Sequence, residues 1–169
     1  MLGIMKKLKS WILSFQYHFL EIEVPYVVVR EGAKVPTYAT PGACGCDLYA
    51  CLGEDILGNK CCMIIRPGQK IIIPTGIGVE SPLGWSFQFL DRSSVANEDV
   101  HVVGGFIDCD YRNELSVILR NNSKYDYVVR DGERICQVAI YHLAHATFVP
   151  KASFSETKRG TGGFGSTGK

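Results

Sequence analysis

Short apolar runs separated by glycine and proline turns dominate the sequence from residue 21 onward. Most runs are rich in β-branched residues, and turn signals separate them, as at 66–68, 74–76, 81–84, 121–123 and 130–132. Many short strands with such punctuation are typical of a β-sandwich or a β-barrel. The predicted strands lie at 24–29, 62–65, 70–73, 86–90, 100–103, 115–119, 125–129, 135–142 and 146–149.

Helical periodicity appears in only two places, a short stretch from 93 to about 98 and the first twenty residues. Residues 1–20 carry three lysines and no acid, and their apolar residues follow a one-sided helical spacing. We interpret this segment first as a packed or partner-binding extension. An organelle transit peptide stays open, although such peptides favour arginine, whereas the polar residues at 16–18 disfavour a secretory signal. Loose membrane-surface contact also stays open but is disfavoured, because the apolar face is short.

Composition limits the classes of function. A chain of 169 residues with 46% hydrophobic content suits one packed domain. A formal net charge of +1 argues against a dedicated nucleic-acid binder, but it leaves room for a small anionic ligand. Seven cysteines without a Cys-x-x-Cys pair, and only four histidines, give no zinc pattern. We expect reduced thiols and a cytoplasmic or nuclear protein.

The organisation predicted from these patterns has three parts. Residues 1–20 form the basic amphipathic extension, residues 21–150 form the β domain, and residues 151–169 form a C-terminal arm. The last eleven residues are rich in glycine, which lets backbone amides approach a phosphate chain. Arg159 adds a phosphate-binding fork, Ser166 and Thr167 add hydroxyl donors, and Phe164 adds a stacking face. A disordered end would need neither the arginine nor the phenylalanine, so the arm indicates a nucleoside polyphosphate ligand.

Three interior segments carry further polar groups with two interpretations each. Asp47 follows a glycine-rich turn, where an acid is a turn residue or a ligand-binding one. The segment from Arg92 to Ser94 stands at a predicted helix start, either as an ordinary N-cap or as an anion site. Gln137 lies in a predicted buried strand, where its amide either meets a phosphate or satisfies a backbone group.

The segment from Gly104 to Arg112 gives a sharper signal. Two glycines allow close backbone contact with a planar ligand, and Tyr111 supplies a rigid ring. Asp108 follows two apolar residues and is a candidate general base. The alternative is a hairpin whose acids simply bind the adjacent Arg112.

The five segments, in this order and spacing, resemble the five motifs of the trimeric dUTP pyrophosphatase (dUTPase) family over about residues 22–169. The resemblance implies a jelly-roll-type β-barrel with one short helix, assembled as a homotrimer. It implies three active sites at subunit boundaries, each closed by a flexible C-terminal arm from a third subunit.

The resemblance also implies the chemistry. Asp108 would activate a water for in-line attack on the α-phosphorus of dUTP, which gives dUMP and pyrophosphate. Mg²⁺ would bridge the phosphates, and Asp47 would hold it through a coordinated water. The reaction would keep uracil out of DNA and supply dUMP for thymidylate synthesis. The implied substrate-binding residues are Arg92, Ser93, Ser94 and Gln137 for phosphate, the backbone of Val102, Val103, Gly104 and Gly105 for uracil, Tyr111 for the sugar, and Arg159, Phe164, Gly165, Ser166, Thr167 and Gly168 of the arm.

The chain departs from the family pattern at a few positions. Cys46 replaces an aromatic residue at a tolerant position, and the extension at 1–20 has no counterpart. Asp91 stands where a small or apolar residue is usual, and it would repel phosphate unless it points away or pairs with Arg92. Asn113 replaces a glycine, and we expect it to adopt a left-handed conformation. Two other functions stay open: a dCTP deaminase and a non-catalytic interaction module on the same fold.

Overall fold

Strands make up nearly all the regular structure of the computed structural model, which describes residues 20–163. Within that range there are eleven strands and one four-residue helix, which confirms the all-β prediction with a short helix. The predicted N-terminal helix falls on residues outside the described range. No helix of the described part is long and apolar enough to cross a membrane. The elements are β1 (Tyr26–Val28), β2 (Cys46–Tyr49), β3 (Cys62–Ile65), β4 (Lys70–Ile73), β5 (Ile77–Val79), β6 (Trp85–Leu90), α1 (Ser93–Ala96), β7 (Val100–Val102), β8 (Phe106–Ile107), β9 (Val117–Asn121), β10 (Tyr127–Arg130) and β11 (Arg134–His142).

The largest sheet has the strand order β2-β11-β6-β8, and all its pairings are antiparallel. The nine-residue β11 lies between β2 and β6. Gln137 is therefore opposite Asp47 on one side and opposite Leu90 on the other. This register brings the segments that contain Asp47, Arg92 and Gln137 to one end of the sheet.

A second sheet, with the order β4-β9-β7, and two two-stranded sheets, β1-β5 and β3-β10, complete the fold. Strand β9 alternates buried and less buried residues, as expected for a strand with one face on a core. One hydrophobic cluster takes side chains from all four sheets, among them Leu48, Ile65, Ile73 and Ile77. A single core shared by several sheets is the architecture of a sandwich or barrel.

The predicted strand at 146–149 is wrong. Residues 143–150 have no regular secondary structure, and the side chains of Phe148 and Val149 are 94% and 78% exposed. The segment has the composition of a strand but no strand to pair with among the described residues. The opposite error occurs at β5 and β8, strands of three and two residues that are not predicted from the sequence.

Candidate active site

The buried carboxylate of Asp47 is the centre of a polar cluster. Its side chain is only 3% exposed. Arg134 Nη1 lies 3.2 Å from Oδ2, and Arg92 Nε lies 3.5 Å from Oδ1. The Gln137 amide also donates to Oδ1, at 3.5 Å. A buried carboxylate requires such partners to offset its lost hydration, so Asp47 holds these three side chains in one place.

Arg134 is a site residue that sequence reasoning missed. Residues 134 and 137 are separated by an odd number of positions, so a regular strand would place them on opposite faces. The pairing of β11 with β2 is irregular between Arg134 and Cys136, where Arg134 opposes Tyr49 and Cys136 opposes Leu48. This β-bulge inserts one residue and brings Arg134 to the face of Gln137. The only signal in the sequence was the arginine after the turn at 131–133.

The turn at the start of α1 is not capped by a side chain. Arg92 occupies the N-cap position with extended backbone and makes no side-chain capping bond. Its guanidinium instead contacts Asp47 and the hydroxyl of Ser94. The side chains of Ser93 and Ser94 are exposed. The hydroxyls and the guanidinium therefore occupy one small surface next to the Asp47 cluster, which favours the anion-site interpretation over an ordinary N-cap.

Asp91 does not pair with Arg92. Its Oδ1 accepts the backbone N–H of Val102 at 2.6 Å, and its Oδ2 lies 2.8 Å from His101 Nδ1. The other ring nitrogen of His101 is 3.1 Å from Asp99 Oδ1. The hydrogen bond to Asp91, followed by that to Asp99, raises the pKa of His101. We expected Asp91 either to point away from a bound phosphate or to pair with Arg92. The structure shows the first arrangement, because the Asp91 carboxylate is turned toward His101 and Val102.

Gly104 and Gly105 carry the chain from β7, in one sheet, to β8, in the other. They adopt φ values of 80° and 108°, which favour glycine. The Gly105 carbonyl accepts the Phe89 N–H at 2.8 Å, and a Cβ at Gly105 would lie 2.7 Å from the Cβ of Phe89. The absence of a side chain at Gly105 therefore allows close packing against Phe89 of the same chain, before any contact with a ligand is considered. The Val103 N–H is also engaged, by the Ile118 carbonyl at 2.9 Å, which leaves the Gly104 and Gly105 amides without a partner among residues 20–163.

Asp108 lies one residue beyond β8 in a tight turn. Its backbone carbonyl accepts the Tyr111 N–H at 3.2 Å, and the Tyr111 hydroxyl donates to the Glu114 carbonyl at 3.0 Å. Arg112 donates to the backbone carbonyls of Cys109 and Tyr111. Its carboxylate partner among the described residues is Glu80, at 3.4 Å, so the alternative that the acids of the hairpin bind Arg112 is wrong. The Asp108 side chain is exposed and has no partner in the described part of the chain.

Glu114 anchors this turn to the body of the protein. Its Oε1 accepts Arg30 Nε at 2.8 Å and the Gly76 N–H at 2.7 Å. Burial alone would raise the pKa of Glu114, but Arg30 and the Gly76 amide together lower it. Asn113, just before it, does not adopt the left-handed conformation that we expected, since Asp99 is the one non-glycine residue with positive φ in the described range.

The Asp47 cluster and Asp108 lie far apart within the chain. Continuing the pairing of β8 with β6 places Asp108 opposite Ser86, whereas the cluster lies at the level of Leu90. Four residues along an antiparallel strand span roughly 13 Å. The predicted base and the predicted phosphate-binding cluster are therefore not brought together in a single chain.

The described part of the arm is exposed and mostly without regular structure. Arg159 is in a turn in which its carbonyl accepts the Gly162 N–H at 3.0 Å. The structure does not bring Arg159 to the Asp47 cluster, and the predicted contacts of Phe164, Gly165, Ser166, Thr167 and Gly168 lie outside the described residues.

The donor set limits how a metal ion could bind. No group of three or more His, Cys, Asp or Glu side chains within residues 20–163 could hold one. Both oxygens of Asp47 already contact a guanidinium or an amide. An ion at this site would therefore need most of its inner ligands from a bound molecule, and Asp47 would reach it through water.

Comparison with known proteins gives one consistent result. A family model described as dUTPase matches residues 31–168. A deoxyuridine 5'-triphosphate nucleotidohydrolase of Chlamydia pneumoniae is 43% identical over 142 residues, covering 82% of this chain and 93% of the relative. The enzyme of the same name from Syntrophotalea carbinolica is 39% identical over 143 residues, with 83% and 92% covered.

Solved structures show the same fold. The Staphylococcus bacteriophage 80alpha dUTPase with dUpNHpp superposes with a TM-score of 0.72, at 20% identity, over 87% of this chain and 99% of that one. A dUTPase of S. aureus phage phi11, solved with a structural Mg(II) ion, has a TM-score of 0.69 at 17% identity, over 80% of this chain and 100% of that one. This likeness confirms the predicted jelly-roll-type fold.

Proposed function

Because the chain belongs to the dUTPase family, we propose that it hydrolyses dUTP to dUMP and pyrophosphate. Relatives at about 40% identity bear the name of that activity, and a structural neighbour was solved with the analogue dUpNHpp. The observation that carries the proposal is the pair of complementary half-sites in each protomer. One is the Asp47 cluster, and the other is the turn that presents an unpartnered Asp108.

The Asp47 cluster suits the phosphate chain. Two guanidinium groups, of Arg92 and Arg134, face a single buried carboxylate, so the cluster retains net positive charge. Ser93 and Gln137 add a hydroxyl and an amide next to it. Charged and polar donors fixed in place before the substrate arrives are what phosphoryl transfer requires.

Mg²⁺ is proposed as the ion of the bound nucleotide. When bound it neutralises phosphate charge and orients the α-phosphorus for attack. Asp47 would hold it through a water, and the two arginines would hold that carboxylate in its orientation.

Asp108 is the proposed general base. The attacking water forms a bond to the α-phosphorus, the bond to the bridging oxygen breaks, pyrophosphate leaves, and the water proton passes to the carboxylate. Because Asp108 is exposed and makes no hydrogen bond to another described residue, both its oxygens stay available to that water.

The separation of roughly 13 Å along β6 is the reason to propose a shared site in a homotrimer. Asp108 of one subunit would complete the Asp47 cluster of another, and the arm of a third, with Arg159, Phe164 and the residues after it, would close the site. The amides of Gly104 and Gly105 are the ones left to meet the uracil edge. Tyr111, which is 37% exposed, would pack under the deoxyribose and exclude a 2′-hydroxyl.

All seven cysteines are free in the structure, which supports the proposal that the protein works in a reducing compartment such as the cytoplasm or nucleus. Two of them lie under the site in the buried part of the sheet. Burial raises the pKa of Cys46 to about 11 and raises that of Cys136 further, so both remain inert thiols at neutral pH.

A nucleotide panel tests the proposal. Purified full-length protein with Mg²⁺ is given dUTP, dTTP, dCTP or UTP, and pyrophosphate and ammonia are both measured. We expect pyrophosphate from dUTP alone. Ammonia from dCTP would support the deaminase, and no release from any nucleotide by an assembled trimer would support the interaction module.

A further inference from the structure

A chain of two carboxylates and one imidazole lies between the turn at Arg92 and the hairpin after β7. Asp91 contacts His101 Nδ1 at 2.8 Å, and Asp99 contacts His101 Nε2 at 3.1 Å. The second oxygen of Asp91 accepts the Val102 N–H at 2.6 Å. Asp91 immediately precedes Arg92, so its hydrogen bond to Val102 links the Arg92 turn to the first residue of the segment 102–105.

We propose that Asp91 and His101, which we call the Asp91–His101 clasp, position the Arg92 turn against the hairpin at 102–105 and make dUTP affinity depend on pH. The inference rests on the proposed function. In the proposed shared-site trimer, the clasp joins the phosphate-binding turn of one site to the uracil-binding hairpin that the same chain contributes to a neighbouring site, so it acts on both sites. Asp91 and His101 are positioning residues in this account, and neither contacts the substrate.

The charged surroundings of His101 favour its protonated form. Asp91 follows β6, and Asp99 lies in the turn between α1 and β7, so one acid faces each ring nitrogen. Arg120 of β9 is opposite His101 in the register and is the opposing cation. Helix α1, which also packs on β7, carries no charged side chain. The hydrogen bonds to Asp91 and then to Asp99 outweigh the opposing effect of burial and raise the pKa of His101.

The direction of the pH effect follows from the ring chemistry. Below its pKa the imidazolium donates one N–H to each carboxylate. As the pH rises through that pKa, one nitrogen loses its proton and turns a lone pair toward a carboxylate. The clasp then loses its charge assistance and one of its hydrogen bonds, so it holds the Asp91 carboxylate less firmly. Weaker binding of dUTP at higher pH is the predicted consequence.

The first test observes the clasp without any nucleotide. Nuclear magnetic resonance of the full chain follows the His101 ring and the Val102 amide across pH. We expect both signals to titrate together in the wild type, and we expect Asp91→Asn and Asp99→Asn each to lower the His101 pKa. A Val102 amide that does not follow His101 in the wild type would overturn the clasp.

The second test measures dUTP affinity by calorimetry with Mg²⁺ in an Asp108→Asn background, so that hydrolysis does not interfere. Removing the acceptor for the Val102 N–H with Asp91→Ala should weaken binding about threefold to tenfold. Asp91→Asn keeps an oxygen for that N–H, so it should bind close to the parent protein at high pH but lose the tighter binding at low pH. His101→Gln should likewise flatten the pH profile.

Asp99→Asn is the matched control, because it removes a carboxylate from His101 but leaves the Val102 bond intact. It should move the inflection of the affinity profile to lower pH without the uniform loss expected of Asp91→Ala. An unchanged profile in His101→Gln would overturn the pH dependence, and unchanged affinity in a folded Asp91→Ala protein would overturn the positioning role. Wild-type protein that binds dUTP with this pH profile but never hydrolyses it would support the clasp and refute the proposed reaction.

Discussion

Replacing Asp108 with asparagine should remove catalysis and leave the fold unchanged. The side chain is exposed and has no hydrogen-bond partner among residues 20–163, so the change breaks no contact in the described structure. We expect thermal midpoint and oligomeric state to stay at their wild-type values. Asparagine has nearly the same shape as aspartate but cannot accept the proton of the attacking water.

The magnitude follows from the role. Loss of a positioned general base typically costs about 10²- to 10⁴-fold, which corresponds to roughly 3–5 kcal/mol of transition-state stabilisation. Since the phosphate donors belong to the Asp47 cluster and stay intact, KM for dUTP should change little, and the whole loss should appear in kcat.

The assay is steady-state release of pyrophosphate from dUTP at saturating Mg²⁺. Asp110→Asn is the matched control, because Asp110 is also exposed and is only two residues away in the same turn. It should keep kcat within about threefold of wild type, as surface substitutions usually do. Equal activity of Asp108→Asn and wild type, or equal losses in the two variants, would refute the assignment of the base.

Three further outcomes are expected. Gly105→Ala should lower the free energy of unfolding by about 2–4 kcal/mol, because its Cβ would meet Phe89 at a φ of 108°; an unchanged urea midpoint would contradict this. Deleting residues 160–169 should abolish turnover without dissociating the proposed trimer, and monomers in sedimentation would show instead that the arm is structural. Burial alone would raise the pKa of Asp131, but Lys60 and two backbone amides together lower it. The stability that Asp131 contributes is therefore present above its unfolded pKa and is lost as the pH falls through its folded pKa. Asp131→Asn should therefore flatten the stability curve at acid pH, and an unaltered slope would argue against it.

Local sequence patterns were enough to predict most of the fold. Strands such as β4 and β9 have apolar runs between clear turn signals. Their apolar side chains are buried in one core together with side chains of the other sheets. The run at 146–149 has the same composition and is not a strand, since pairing depends on a partner that composition does not reveal.

The site was predictable where motif order carried the information. Asp47 and Gln137 are 90 residues apart in the sequence. Only the resemblance to a family predicted that they belong to one site, and the register of β2 with β11 shows that they are opposite each other. Arg134 was not predictable, because its position depends on a β-bulge that leaves no mark in the periodicity. The Asp91–His101 clasp likewise depends on a tertiary contact between the end of β6 and the start of the hairpin.

The division of the site between subunits is the central claim, and mixing two inactive proteins tests it most directly. Asp108→Asn lacks the base, and Arg92→Ala lacks part of the phosphate cluster. If each site takes its base and its cluster from different subunits, trimers reassembled from equal amounts should regain about one quarter of the wild-type sites. If base and cluster come from the same chain, every site in the mixture contains a defect, and activity that stays at the level of the separate variants would contradict the account.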